Sequence, residues 1–192
     1  MVNKKPASSS ENSRKTKREP VAAQTFVRDI AIQLVDYPHI DSEKTVSDAV
    51  DVLRAFTCGD LSHLKFSELM VMNKKQAVIG RLRLHDILEG LEPRLFEDKP
   101  QKFEGPEEGR ADLTILWEDV FEKDCRKRAG RPVKEFMTTI GSMVQANDHL
   151  LKALYIMVRG RESSVPVAEA GNVIGVIRME EVFNTISVIC NL

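Results

Sequence analysis

The chain has 192 residues, of which 42% are hydrophobic and 30% are charged, and its formal net charge is −1. These values are ordinary for a globular protein with one large or two small domains, and a nearly neutral chain is not an obvious binder of polyanions. No stretch approaches the roughly 18 apolar residues of a membrane span, so we expect no membrane insertion.

The beginning of the chain is basic and lacks large apolar residues. Residues 1–20 contain six lysines or arginines and two glutamates, and residues 1–24 are therefore predicted to be a disordered basic tail. No apolar core follows the basic residues, so we expect no secretory leader. We interpret the tail as a solubilising leader. A contact with nucleic acid or an acidic partner is the alternative, and no other part of the chain predicts nucleic-acid binding.

The cysteines and histidines show no ligand spacing. Cys58, Cys125 and Cys190 are far apart, as expected for reduced thiols in the cytoplasm, which is the predicted localisation. The four histidines form no i, i+4 pair with a carboxylate between them. The sequence therefore predicts no metal site.

A twelve-residue phrase occurs twice, at residues 77–88 and 172–183. Each copy reads as a short apolar strand with a glycine, then an arginine, then an acidic residue three positions later that opens a helix. A phrase repeated in this way indicates a duplicated structural unit.

The elements of the first copy can be placed in chain order. A lead-in strand is expected at 27–30 and a helix at 45–53, with Thr45 as its N-cap and Asp48 in the box position. A strand at 69–72, a closing strand at 78–80 and a helix at 84–91 follow. Residues 58–68 have no counterpart in the second copy. They are predicted to add one or two helical turns, either as an effector-facing loop or as an inert elaboration.

The second copy repeats this order. A lead-in strand is expected at 133–137, and a helix capped by Asp148 follows it. A strand at 165–168 is joined through a turn at Gly171 to the closing strand at 173–177, and the last helix is expected at 179–187.

The segment between the copies, residues 92–130, is predicted to be a linker that contains an amphipathic helix at 112–128. Gly130 and Pro132 end this helix. We expect its apolar face to pack against the two copies, to form a homodimer contact, or to do both. The face repeats at helical spacing and consists of Leu113, Leu116, Trp117, Val120 and Phe121.

The order of elements resembles that of the CBS domain, and two copies in tandem resemble a Bateman module. In the second copy the resemblance lies in residues 133–138 (VKEFMT), 165–167 (VPV) and 173–177 (VIGVI). In the first copy it lies in 27–30 (VRDI), 45–50 (TVSDAV) and 78–80 (VIG). The resemblance implies an α/β (α+β) fold with repeats at 26–91 and 131–190 that form a pseudo-two-fold module.

The resemblance also implies a ligand site. Similar modules hold AMP, ADP, ATP or S-adenosylmethionine in clefts between the repeats, with a signature S/T-x-x-D after the closing strand. In this chain the two signature positions are Arg83 and Asp86 in the first copy, and Arg178 and Glu181 in the second. The cleft of the first copy matches the signature better because it keeps the aspartate. An arginine can hold phosphate through two charged hydrogen bonds or can fill the cleft. The implied site also includes Arg161 near phosphate and strand residues beside the base, namely Met70, Val71, Pro166 and Val167.

No catalytic pattern is present in the sequence. We find no nucleophile elbow, phosphate-cradling glycine loop or HExxH, so the chain is predicted not to be an enzyme and to require no cofactor. The predicted function is a stand-alone regulatory module that binds an adenosine-type ligand, forms a homodimer and signals to an unidentified protein. The alternative is a scaffold protein with degenerate clefts and no nucleotide ligand.

Overall fold

The structure is a computed structural model that describes residues 25–57, 63–93 and 118–192. The predicted tail, the first part of the 58–68 insertion and most of the linker lie outside these residues. In the described part of the insertion, residues 63–67, there is no helix, and an isolated bridge joins Thr57 to Leu64.

Four strands form the sheet of the first copy. They are β2 (His39–Asp41), β3 (Glu68–Met72), β4 (Val78–Arg83) and β5 (Thr138–Thr139), in the order β2-β3-β4-β5. β2 runs parallel to β3, and the other two pairings are antiparallel. β5 belongs to the second copy, so the sheet of the first copy includes a strand from its neighbour.

The second sheet has the reciprocal arrangement. Its strands are β1 (Ile32–Gln33), β8 (Asn172–Arg178), β7 (Ser164–Glu169) and β6 (Val144–Gln145), in the order β1-β8-β7-β6. β1 comes from the first copy and pairs antiparallel with β8. The two copies therefore exchange their first strands. The prediction placed these strands too early, because residues 27–29 and 133–135 form 3₁₀ turns that precede them.

Glycines allow the exchanged strands to approach closely. A Cβ at Gly175 would lie 2.4 Å from the carbonyl oxygen of Ile32, and a Cβ at Gly80 would lie 2.8 Å from that of Thr138. Any side chain larger than hydrogen would push the exchanged strand away. The repeated glycine of the two phrases thus has the same role in both copies.

The helices agree closely with the predicted elements. α1 (Val46–Ala55) begins at Thr45, whose hydroxyl accepts the Asp48 N–H at 3.1 Å while the Asp48 carboxylate accepts the Thr45 N–H at 2.9 Å. α2 (Leu84–Leu91) has the predicted bounds, and α5 (Met179–Cys190) is longer than predicted. α4 (Leu150–Gly160) is capped by His149, not Asp148. The prediction of Asp148 was wrong because its carboxylate binds the backbone N–H of Gln145 and the Lys152 ammonium.

The helix before the second copy is α3 (Glu118–Ala129). It packs against α2 and α1, and the Arg128 guanidinium donates to the Leu91 carbonyl at 2.7 Å. The described part of this helix therefore contacts the first copy, but Phe121 of the predicted apolar face is 39% exposed, so packing of that face stays a prediction. Leu113, Leu116 and Trp117 of the predicted apolar face lie outside the described residues.

The core consists of one buried cluster in each copy. The first cluster includes Val133 and Val176 of the second copy, and the second includes Val27 of the first copy. Each cluster is therefore completed by residues of the other copy.

Candidate functional site

The two copies meet at the first residues of β3 and β7. The Ser164 hydroxyl donates to the Glu68 carboxylate, and the Tyr37 hydroxyl donates to the same oxygen, Oε1, at 3.2 Å. All three side chains are buried. Burial, followed by the negative charge of Glu68, raises the pKa of the Tyr37 hydroxyl above its ordinary value. Tyr37 therefore stays a hydrogen-bond donor and helps to satisfy a buried carboxylate.

Arg83 and Asp86 lie on the first-copy side of this contact. Arg83 ends β4, and the Asp86 carboxylate accepts its backbone N–H at 2.9 Å, so Asp86 caps α2. The Arg83 guanidinium reaches Glu162 of the second copy, with Nη2 3.2 Å from Oε2. The same oxygen lies 2.6 Å from Nη2 of Arg81. Nε of Arg83 also lies 4.0 Å from Oε2 of Glu68. Arg81, Arg83, Glu162 and Glu68 therefore form an ionic cluster that joins the two copies.

Arg178 and Glu181 occupy the equivalent positions on the other side. The Glu181 carboxylate accepts the backbone N–H of Arg178 at 3.2 Å and its Nε at 3.0 Å. The hydrogen bonds to Glu181 raise the pKa of the Arg178 guanidinium. Arg178 also crosses to the first copy, where Nη1 donates to the Lys65 carbonyl at 3.1 Å and the guanidinium lies 5.0 Å from the centre of the Phe66 ring.

A cavity of about 140 Å³ opens beside Arg178. Both copies line it, and its walls include the cations Lys65 and Arg178, the carboxylates Glu68 and Glu180, and the hydroxyl of Ser163. A second cavity, of about 250 Å³, lies among the β3–β4 turn, the β7–β8 turn and the segment after β5. The first cavity therefore has two cations and two carboxylates in its walls. The cations and the hydroxyl can bind an anionic group, whereas the carboxylates oppose it.

The structure brings together only some of the predicted site residues. Arg83 and Asp86 lie on one side of the contact between copies, and Arg178 and Glu181 lie on the other. Arg161 is exposed at the end of α4. Its contact with a ligand phosphate stays a prediction. The predicted base contacts are interior residues, since the side chains of Met70, Val71 and Val167 have no solvent exposure and Pro166 is buried. They line neither of the two cavities described above.

Sequence reasoning missed the residues that connect the copies. These are Tyr37, Phe66, Glu68, Arg81 and Glu162. One signal was available for Arg81, because it is a charged residue in an apolar strand where the second copy has Val176. Glu162 gave no such signal, since its partner is 81 residues away in sequence.

The described residues contain neither a cluster of metal ligands nor a membrane-spanning helix. No group of three or more histidine, cysteine, aspartate or glutamate side chains there could hold a metal ion. Across the same ranges, no helix has the length and apolar character needed to cross a membrane.

Comparison with known proteins identifies the fold. The family model of the CBS domain matches residues 133–188. CBSX2 from Arabidopsis thaliana in complex with AMP has 18% sequence identity and a TM-score of 0.59, and the match covers 87% of this chain and 99% of that one. The CBS domain of a CBS domain containing membrane protein from Sphaerobacter thermophilus has 14% identity and a TM-score of 0.60, with coverage of 85% and 88%.

A further similar structure is the CBS domain of a bacterial CNNM/CorC family Mg²⁺ transporter in complex with ATP. It has 19% identity and a TM-score of 0.56, with 84% of this chain and 87% of that chain covered. A search of curated protein sequences gives no match. Residues 133–188 thus match the CBS domain model, and the chain has the α/β fold of a CBS-domain pair, as the resemblance predicted.

Proposed function

We propose that this chain is a non-enzymatic regulatory module that binds an adenine nucleotide in the cleft of Arg178. Arg178 carries the proposal, because it borders the cavity and contacts both copies at once. Two proteins of the same fold are complexes with AMP and ATP, which supports this ligand class. Lys65 and Arg178 supply positive charge for phosphate, and Ser163 supplies a hydroxyl.

The cleft of Arg178 is a better phosphate site than the cleft of Asp86. Both arginines are paired with a carboxylate, Arg83 with Glu162 of the opposite copy and Arg178 with Glu181 on its own helix, so a phosphate competes with a carboxylate on either side. The Arg178 side differs because it borders a cavity whose lining includes a second cation, Lys65. We therefore place the nucleotide on the Arg178 side, although the signature residue Asp86 lies on the other.

Binding a whole nucleotide requires Arg178 to move. The cavity of about 140 Å³ is smaller than the roughly 300–1,000 Å³ of ordinary ligand pockets. A guanidinium that leaves the Phe66 ring would enlarge the cavity and could turn towards the phosphate. That movement also breaks its hydrogen bond to the Lys65 carbonyl of the other copy. Ligand binding would thereby change how the copies are held, which is the differential contact that a switch needs.

Isothermal titration calorimetry with AMP, ATP, S-adenosylmethionine and adenosine tests this proposal. We expect AMP or ATP to bind and adenosine to bind more weakly, because it lacks phosphate. Arg178→Ala should weaken nucleotide binding at least ~10-fold, the effect of losing about 1.4 kcal/mol of charged hydrogen bonding. Asp86→Ala is the matched control from the other cleft and should bind as wild type does.

Absence of binding heat with every ligand would leave the alternative, a scaffold protein with degenerate clefts. One observation favours that alternative, since each cleft arginine is already paired with a carboxylate of the chain. In a scaffold these pairs would be permanent. Equal binding by wild type and Arg178→Ala would instead place the ligand elsewhere and contradict the assignment to this cleft.

We also propose that the chain forms a homodimer, and α4 supports a surface for it. Buried residues show that α1 and α4 are equivalent helices, with Val46, Ala49 and Leu53 matching Leu150, Ala153 and Met157. At the matching exposed positions α1 has Ser47, Asp51 and Arg54, whereas α4 has Leu151, Tyr155 and Val158. The fold does not require apolar residues there, because the first copy does without them.

A second copy of the chain is the occupant that this surface suits. Phe183, on the adjacent helix α5, is also exposed. With Leu151, Tyr155 and Val158 it presents on the order of 500 Å² of apolar surface. In a two-fold contact the same patch covers itself, and two copies would bury about 1,000 Å², the lower range for a specific interface. The basic tail is a poorer occupant, since Lys152, Arg159 and Arg161 surround this face and like charges repel.

A further inference from the structure

The cavity of about 250 Å³ lies far from the arginines of the two clefts. Its walls include the first residues of β4 and β8, whereas Arg83 and Arg178 are the last residues of these strands. At about 3.3 Å per residue, the ends of β4 are about 16 Å apart and those of β8 about 20 Å. The cavity is therefore a separate site at the opposite end of both sheets, where the two hairpin turns line one space.

The two copies differ in the connection that borders this cavity. Gln33 and Thr139 are equivalent, because each pairs with the repeated glycine of the other copy. After Gln33, residues Leu34–Asp36 form a 3₁₀ turn that packs against β8. After Thr139, residues 140–143 have neither helix nor strand, and the cavity lies between them and β4. The same fold can thus close this space, and the second copy leaves it open.

The walls of the cavity suit an uncharged aromatic group. They contain no ionisable side chain, and their polar side chains are two amides and one hydroxyl. A charged occupant would lose its hydration there without gaining a charged partner. A cavity of about 150 Å³ is enough for a benzene ring, so this one admits a single aromatic side chain. The larger apolar residues of the lining, none of them fully buried, are Val78, Ile79, Ile140, Met143 and Val173.

Both hairpin turns that form the walls have defined conformations. In the β3–β4 turn, Oδ1 of Asn73 accepts the backbone N–H of Lys75 at 2.9 Å and that of Ala77 at 3.1 Å. In the β7–β8 turn, Ala170 and Gly171 have positive φ values of 48° and 83°, as in a tight hairpin turn. The cavity is therefore formed before an occupant arrives, and this lowers the entropic cost of binding.

The backbone beside the cavity is open to a segment of another protein. β5 is the edge strand of its sheet, and both of its residues are exposed. Gly141 and Ser142, which follow β5, are also exposed, and neither makes a hydrogen bond with another described residue. An edge with unpaired backbone groups can pair with an extended segment of a partner.

Positive charge lies at the rim of the cavity on the side of the first copy. Lys74 and Lys75 are exposed in the β3–β4 turn, next to Gln76 of the cavity wall. The β7–β8 turn opposite has one exposed carboxylate, Glu169. Acidic residues in an incoming segment would therefore be attracted to the β3–β4 side.

We propose that this cavity is the docking site for a partner protein, which inserts one aromatic side chain from an extended acidic segment. The backbone of the segment pairs with the edge of β5, and its carboxylates face Lys74 and Lys75. The inference goes beyond nucleotide binding and does not rest on it. It assigns the surface through which the module contacts another protein, whether or not a ligand occupies the cleft of Arg178.

A synthetic peptide tests this proposal by NMR titration of the full chain labelled with ¹⁵N. The probe is blocked at both ends and has one phenylalanine between two aspartates. We expect it to shift the amide signals of residues 76–79, 139–143 and 171–173. The matched peptide with alanine in place of phenylalanine should bind at least ~10-fold more weakly, because it leaves the cavity unfilled. Equal binding of the two peptides, or no shift of these signals at about 5 mM probe, would overturn the proposal.

Two variants fill the cavity from opposite walls. Ala77 and Thr139 both line it and are exposed, so Ala77→Trp and Thr139→Trp can occupy the space without disturbing the core. Each variant should lose at least ~10-fold in affinity for the probe. Wild-type affinity in both variants would place the peptide elsewhere and contradict the proposal.

A charge reversal tests the orientation of the segment. Lys74→Glu/Lys75→Glu should weaken probe binding by about 10-fold at low salt and by less at high salt. Lys123→Glu/Lys127→Glu on α3 is the matched control, because it changes the net charge equally at exposed residues that do not line the cavity. Equal losses in the two double variants would mean non-specific attraction and would refute the role of the β3–β4 turn.

Three further measurements exclude other occupants and the nucleotide cleft. Arg178→Ala should bind the probe as wild type does. Loss of probe binding in this variant would place the peptide in the nucleotide cleft, and the inference would fail while the proposed function stands. Free indole that binds as tightly as the peptide would indicate a small-molecule site, and signals of the cavity that shift when the free protein is diluted would indicate a second copy. Either result would contradict docking of a partner segment.

Discussion

Replacing Gly175 by alanine tests whether the exchanged strand β1 holds the two copies together. The new Cβ would lie 2.4 Å from the Ile32 carbonyl oxygen and 3.4 Å from Cα of Gln33. The closer atom belongs to the backbone and cannot rotate away, so β1 has to shift by about 1 Å to restore normal contact distances. β1 pairs with β8 through Ile32 and Gln33, and the shift would disrupt that pairing.

Overpacking a tight site typically costs 1–3 kcal/mol, and the lost strand pairing places this variant at the upper end. We expect the free energy of unfolding to fall by about 3 kcal/mol. For a chain of this length the melting temperature would then fall by about 6–12 °C. Urea unfolding followed by far-ultraviolet circular dichroism measures the free energy, and a thermal scan measures the temperature.

Gly141→Ala is the matched control. A Cβ at Gly141 meets no atom within 4 Å, so this variant should stay within about 0.5 kcal/mol of wild type. Gly80→Ala should lie between the two, because one of its close contacts is the flexible Met137 side chain, at 2.9 Å. If Gly175→Ala unfolds at the same urea concentration as Gly141→Ala, then the reasoning from β1 is wrong.

Three further predictions concern the helix cap, pH and the dimer. Thr45→Ala should lower the free energy of unfolding by about 1 kcal/mol in urea, because α1 loses its N-cap. The pKa of Tyr37 is raised from its ordinary value of 10.0, so above pH 10 the unfolded chain loses a proton that the folded chain keeps, and stability should fall as pH rises. Tyr37→Phe should remove this component of the alkaline loss; identical slopes in both proteins would contradict it. The third prediction gives α4 the surface residues of α1 through the substitutions Leu151→Ser, Tyr155→Asp and Val158→Arg. In analytical ultracentrifugation or light scattering the wild type should be a dimer and this variant a monomer. A monomeric wild type would refute the proposed dimer.

Local signals in the sequence were sufficient for the helices and the closing strands. The cap of α1 and the bounds of α2 follow from residues within one turn of each other, and both are confirmed. His149 was missed as the cap of α4 because the better capping residue beside it is engaged by Gln145 and Lys152. The capping propensity of a residue type does not show whether its side chain is already hydrogen-bonded to other groups.

The contacts between the copies could not be predicted in the same way. The pairing of Ile32 with Val176 joins segments far apart in sequence, and a two-residue strand has no periodicity to reveal it. The role of Met70 and Val71 in ligand binding stays a prediction, and the sequence did not show how deeply they lie. Apolar runs are typical of strands that are covered on both faces, and the structure buries both residues completely.

The exchange of β1 and β5 decides what would happen if the chain were divided. The first copy alone would lack β5, and the backbone groups of β4 that pair with Thr138 and Thr139 would be open. An open edge of this kind recruits strands from other molecules and promotes aggregation. Coexpressed with the second copy as a separate chain, the first would regain its missing strand and supply β1 in return. The unit that folds in this protein is therefore the pair of copies, and we expect neither copy to fold correctly by itself.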